Sequence, residues 1–212
     1  MTNKKRVTAK PDSVGERARK HICETTVALL VERGFSATSI GRIAERANVS
    51  KGALQHHFTT KEDLMVAVVN RLMARVVVRS DVSQKKPGET EESVIIREIM
   101  KIWTDLINTD PYRALLEILV ASRTDSSLLK RIGPVLQDWE SSFDDLAKKL
   151  FVTNTGQDED VVMALTMTRV LFRGLVLQVP YERDPSDIEN IVKRWSELIS
   201  STLRVRDHKS AV

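Results

Sequence analysis

One cysteine, Cys23, stands in 212 residues, so the chain forms no internal disulfide and has no second thiol at a metal-ligand spacing. Glycines number only 8 and aromatic residues make up 5% of the chain. No stretch alternates apolar and polar residues as a strand would, and no hairpin turn is present, which argues against a β architecture. No apolar run approaches the ~20 residues of a membrane span. The opening "MTNKKRVTAKPDSVGERARK" lacks the apolar segment of a secretory signal, so the expected location is the cytoplasm. A nucleophile elbow, a Gly-rich phosphate loop and a metal-ligand cluster are also missing, which argues against an enzyme and implies no cofactor or metal. The four histidines, His21, His56, His57 and His208, fall on helix surfaces or near an end in this reading.

Leu, Ile, Val, Ala, Arg, Glu and Lys are present in helix-length blocks, and the expected fold is all-α with about nine helices. Net charge is +4 and unevenly spread. Residues 1–61 hold 12 Lys and Arg against 5 Asp and Glu, and the remainder holds 21 against 24. A basic first third on a mildly acidic remainder suits an N-terminal part that meets a polyanion, or else a solvated basic face.

Residues 1–13 read as a disordered basic arm interrupted by Pro11. A helix over 14–33 follows, with Ile22, Thr26, Leu29 and Leu30 on one stripe and Gly34 as its stop. Thr38 is placed to cap a second helix whose Ile40, Ile43, Ala44 and Ala47 recur at i, i+3, i+4 and i+7. Asn48 and Val49 form a turn, and Ser50 caps a third helix with Leu54 and Phe58 on its inner side. Thr60 and Asp63 form a capping-box-like pair at the start of a fourth helix that reaches about Val78.

"SDVSQKKPGETEES" is a polar break around Pro87 and Gly88. Five more helical patterns follow, over about 91–108, 111–124, 126–151 with a bend at Gly133-Pro134, 158–179 and 185–205. The last begins with Asp184 as cap and Pro185 at its first position. These boundaries divide the chain into an arm (1–13), a helix-turn-helix head (14–62) and a larger C-terminal part (63–212).

Two short helices joined by a tight turn are the arrangement in which the second helix enters a major groove. At 100° per residue, burying Leu54 and Phe58 sends Gly52, Ala53 and His56 outward and puts Lys51, Gln55 and His57 on the flanks. Gln55 suits a bidentate bond to an adenine edge, the Ala53 methyl suits a thymine methyl, and Gly52 permits close backbone approach. Lys51, Thr38 and Lys61 stand where a phosphate could be met, and the basic segment from Lys4 to Lys10 would add salt-dependent affinity. On spacing alone, an ordinary helix pair of a helical protein fits equally. His56 and His57, adjacent on one helix, point about 100° apart and do not chelate one ion.

The stretch "RGFSATSIGRIAERANVSKGALQHHFTTKEDL" resembles the DNA-binding domain of the TetR family of bacterial transcriptional regulators, and the spacing from Gly34 to Leu64 holds without a gap. The resemblance covers about residues 17–69. It implies that the third helix is the recognition helix and that Thr38, Lys51, Ala53, Gln55, His56, His57 and Lys61 fall at the family's usual contact positions. Asn48 replaces the usual turn Gly, Ala53 a common Thr and Gln55 a common Tyr. Asn tolerates a left-handed backbone, so the turn should still close, and Gln55 becomes a candidate source of operator preference.

The same resemblance implies a homodimer formed by the last two helices. The expected pairing residues are Leu171, Gly174 and Leu175 on "VVMALTMTRVLFRGLVLQV", and Ile188, Ile191, Val192, Trp195, Leu198 and Ile199 on the last helix. It also implies an effector cavity in the C-terminal part, with Met100, Trp103, Leu119, Arg123, Trp139, Phe143, Met163, Met167 and Phe172 as candidate lining. The expected function is a repressor released from a palindromic double-stranded DNA operator by a small-molecule effector. A helical small-molecule carrier that does not read DNA is the alternative.

Overall fold

Nine α-helices stand among the described residues of the computed structural model, which are residues 14–79 and 85–206. The arm over 1–13, the Lys4 to Lys10 segment, His208 and part of the polar break lie outside the described residues. No helix among the described residues is long and apolar enough to cross a membrane.

Helix α1 (Val14–Ala37) buries the expected stripe of Ile22, Thr26, Leu29 and Leu30. Thr26 satisfies its buried hydroxyl by donating to the Ile22 carbonyl at 2.8 Å. Gly34 interrupts the helix with φ +72°, a left-handed conformation that suits glycine, and one further turn follows to Ala37. Thr38 does not cap the next helix. It is buried, its N–H donates to Phe35 O at 3.1 Å and its hydroxyl donates to Gly34 O at 2.8 Å, so it closes the end of α1. Ser39 is the cap of α2 (Ile40–Arg46), accepting from Arg42 N. Asn48 takes φ +53°, the left-handed turn expected of it.

Ser50 caps α3 (Lys51–His57) by accepting from Ala53 N at 3.0 Å. At the start of α4 (Lys61–Arg79), Thr60 N donates to Asp63 Oδ2 and Asp63 N donates to Thr60 Oγ1, a reciprocal capping box.

Helix α5 (Glu91–Ile102) continues into a π-helical turn, Trp103–Ile107, closed by Asn108 N donating to Trp103 O at 2.8 Å. Helix α6 (Asp110–Ser122) carries Pro111 in its first turn, and α7 (Ser126–Leu150) runs through Pro134 as one element. Helices α8 (Asp158–Gln178) and α9 (Pro185–Ser200) complete the set, with Asp184 capping α9 by accepting from Ser186 N.

The final helix stops at Ser200 and does not reach Val205. Residues Leu203–Val205 form β2, which pairs antiparallel with β1 (Phe151–Thr153), Phe151 opposite Val205 and Thr153 opposite Leu203. Three residues are too few to display a period-two pattern, so these strands were not visible in the sequence.

Helix α1 packs against α6, α4 against α7, and α5 against α9. Their buried apolar side chains join into one cluster that runs from Ile22 to Leu203. The helix-turn-helix head therefore sits directly on the larger helical body.

Candidate nucleic-acid interface

Leu54 and Phe58 are buried one turn apart, and this fixes which side of α3 faces out. Lys51, Gly52, Ala53, Gln55 and His56 are exposed, and His57 is half-buried. The His56 and His57 rings meet edge to face with centroids 5.7 Å apart. Among the described residues no group of three His, Cys, Asp or Glu side chains is placed to hold a metal ion. The Lys51 stem lies over Gly41, where an added Cβ would come 3.3 Å from Lys51 Cε, so Gly41 leaves room for that side chain.

Two expected contacts point elsewhere. Thr38 is buried with both donors used within α1, which leaves it no surface for a phosphate. Lys61 Nζ donates to Phe35 O at 3.2 Å and sits 3.8 Å from the Phe35 ring centroid, turned toward the end of α1. Burial holds its ammonium pKa below the ordinary lysine value.

Three basic residues to which the sequence gives no site role hold the head's backbone. Arg42 Nη1 donates to Ala37 O at 2.7 Å, so with Lys61 it satisfies carbonyls at the end of α1. Arg19 and His21, on α1, bond to the C-terminal carbonyls of α3 and α2. The signal available was their flanking of the buried Ile22 stripe.

The candidate effector residues divide. Trp103 and Phe172 are buried and meet edge to face at 5.4 Å. Trp139 and Phe143 lie 6.1 Å apart, and Trp139 Nε1 donates to Asn70 Oδ1 at 3.0 Å, tying α7 to α4. Met100 and Leu119 are half-buried against the same core. Arg123 instead stands exposed at the end of α6, and Met163 and Met167 are more than half exposed on the outside of α8, so these three do not line an interior cavity.

The candidate pairing residues also divide. Gly174, Ile191 and Leu198 are exposed, and Leu171 and Trp195 are half-buried, with Trp195 Nε1 donating to Thr168 Oγ1 at 3.0 Å within the chain. Leu175, Ile188, Val192 and Ile199 are buried in the chain's own core and are unavailable to a second copy. Sequence reasoning took α9 to have one apolar face, whereas its apolar residues serve two. The outward face of α8 carries Met163, Met167, Val170 and Leu177, each more than half exposed. At 100° per residue they fall with Gly174 within an arc of about 80°.

Residues 22–68 match the family described as bacterial regulatory proteins, tetR family. Residues 22–68 are the DNA-binding segment of this TetR family. The chain is 24% identical over 167 residues to an uncharacterized HTH-type transcriptional regulator of Mycobacterium tuberculosis, covering 76% of this chain and 82% of that protein. It is 34% identical over 91 residues to the HTH-type transcriptional activator FasR of Mycolicibacterium smegmatis, covering 42% and 41%. In fold it is similar to NalD, the secondary repressor of the MexAB-OprM multidrug efflux pump in Pseudomonas aeruginosa. That match has a TM-score of 0.60 and 20% identity, and covers 92% of this chain and 100% of that one. The family segment and these relatives, which are transcriptional regulators and not enzymes, support a DNA-binding transcriptional regulator.

Proposed function

We propose that this TetR-family regulator is a homodimeric repressor that reads a two-fold operator with α3 and is released by a small-molecule effector. Residues 14–62 are the reading head in this proposal, and residues 63–212 the effector-binding and pairing part. The observation that carries the reading is the exposed face of α3, which presents Lys51, Ala53, Gln55 and His56 while Leu54 and Phe58 anchor the helix behind it. Gln55 reads a base edge, Lys51 and His56 meet the backbone, and Ala53 contacts a thymine methyl. A protein reading cellular DNA works in the cytoplasm.

The outer face of α8, continued by Ile191 and Leu198 on α9, supports pairing with a second copy. A built Cβ at Gly174 meets nothing within 4 Å, so this position leaves space for a partner helix. Two heads related by a two-fold axis read half-sites about one helical turn apart, ~34 Å. A dimer bound over a promoter excludes polymerase without further contacts, which is the case for repression.

Release is a population shift. An effector that prefers the non-binding conformation ~100-fold supplies about 2.7 kcal/mol of coupling, and DNA weakens effector binding by the same factor. Trp103 with Phe172, and Trp139 with Phe143, are the aromatic pairs proposed to line its site.

Selection from a randomised duplex pool, followed by a salt titration on the enriched sequence and a promoter reporter, tests the proposal. A two-fold sequence, a steep negative salt slope and reporter repression are expected. No enriched sequence, with residual binding lost at moderate salt, would sink it.

A further inference from the structure

We infer that Arg19 and His21 of α1 are positioning residues for DNA reading, holding the C-terminal ends of both helices of the head so that α3 presents its exposed face at a fixed angle. The inference rests on the proposed role of α3. At 100° per residue, Arg19 lies about 60° to one side of the buried Ile22 and His21 about 100° to the other. One therefore reaches α3 and the other α2.

Arg19 Nη1 donates to His57 O at 2.6 Å, and its guanidinium carbon stands 4.3 Å from the Phe58 ring centroid. His57 is the last residue of α3 and Phe58 its C-cap. His21 Nε2 lies 3.1 Å from Ala47 O, the C-cap of α2. A carbonyl oxygen only accepts, so Nε2 carries the proton and donates.

A seven-residue helix is too short to hold itself. Ser50 fixes its start, and Leu54 and Phe58 give one line of buried contact about which it can rock. The Arg19 bond to His57 O ties down the end of the helix opposite the Ser50 cap and opposes that rocking. Both acceptors are backbone atoms, so the clamp sets the pose of α2 and α3 independently of the side chains that face DNA.

The test uses the full-length protein and the variants Arg19→Ala and His21→Ala. Affinity for the enriched operator and for a random duplex is measured across salt, alongside amide exchange at Gln55 to Phe58. Each variant is expected to lower the operator-to-random ratio about tenfold with the salt slope unchanged. Arg19→Ala should also speed exchange at Gln55 to Phe58 and leave Leu64 to Val69 as before. An equal loss on both duplexes with the slope reduced by about one would make Arg19 a phosphate contact and overturn the inference. Unchanged exchange and an unchanged ratio would overturn it as well. If Arg19→Ala loses its cooperative melt, Arg19→Lys replaces it, giving up the guanidinium contact with the Phe58 ring and shifting both readouts in the same direction. If the wild type enriches no duplex, the DNA-reading proposal fails by itself, and the exchange data alone show whether the clamp exists.

Discussion

The Phe35 backbone N–H, just past the left-handed Gly34, donates to Glu117 Oε2 of α6 at 3.1 Å. The Phe35 carbonyl accepts from Lys61 at the start of α4. One peptide segment of the head is thus bonded on one side to the helical body and on the other to the helix that follows the reading head. A carboxylate acceptor makes the first of these bonds charge-assisted. Asp63 at the start of α4 also pairs with Arg131 of α7, a contact within the C-terminal part beside this junction.

Gly34→Ala should therefore destabilise the protein more than an ordinary helix-end substitution. The added Cβ would stand 3.1 Å from Glu117 Oε2, at a φ that L-residues avoid. A loss of about 1–2 kcal/mol in chemical denaturation is expected. Glu117→Ala should cost about 1 kcal/mol and Glu117→Gln less, because the amide oxygen still accepts. Equal stability of Gly34→Ala and wild type would show that the kink has no role in joining head to body.

A charge placed on the outer face of α8 should split the proposed dimer without unfolding the chain. Met167→Glu and Val170→Asp put a carboxylate among Met163, Gly174 and Leu177, where a partner helix is proposed to lie. Sedimentation should show a monomer at concentrations where the wild type is a dimer, with the far-UV spectrum of the helices retained. Operator affinity should fall with it, since one head reads only a half-site. A dimer that survives both substitutions would move the interface elsewhere.

The sequence made the head legible because its signals are local. Ser50, Asn48, and the Thr60 and Asp63 box each act within three or four residues, and the Leu54 and Phe58 pair orients α3 by helix period alone. Where α8 and α9 face was harder to read. A helix apolar around much of its circumference does not say which side meets its own core, and the sequence expectation puts Met163 and Met167 inward and Val192 and Ile199 outward, the reverse of their places in the fold. Thr38 is a related case: Ser39 beside it is an equally good cap, and only the bonds to Phe35 and Gly34 decide between them.

Cys23 should report opening of the core. Burial pushes its thiol up to about 11, despite nearby Arg71 and Arg19, so at neutral pH it is protonated and inaccessible. A folded-state pKa above the unfolded value means that the contribution is intact below the unfolded pKa and lost as pH rises through the folded one. Between about pH 9 and pH 11, wild type should lose about 2 kcal/mol relative to Cys23→Ala in paired denaturation curves. Parallel curves across that range would place the thiol in a wetter environment. Thiol reagents at pH 7 should modify native protein only at the rate of transient opening.

Lys51 and Lys61 occupy similar places in the sequence motif, yet the structure gives them opposite surroundings. Lys51 is exposed at the start of α3, whereas Lys61 is turned inward onto Phe35 and lowered in pKa by desolvation. A lysine that meets phosphate releases a counterion, and its removal flattens the salt dependence by about one unit of slope. Lys51→Ala should therefore reduce the slope of log affinity against log salt by about one and weaken binding to all duplexes alike, with little change in melting temperature. Lys61→Met should do the reverse, lowering the melting temperature through the lost bond to Phe35 O and leaving the slope unchanged. If Lys61→Met also flattens the slope, the ammonium must swing out from Phe35 when DNA binds, and the end of α1 would then change conformation with the operator.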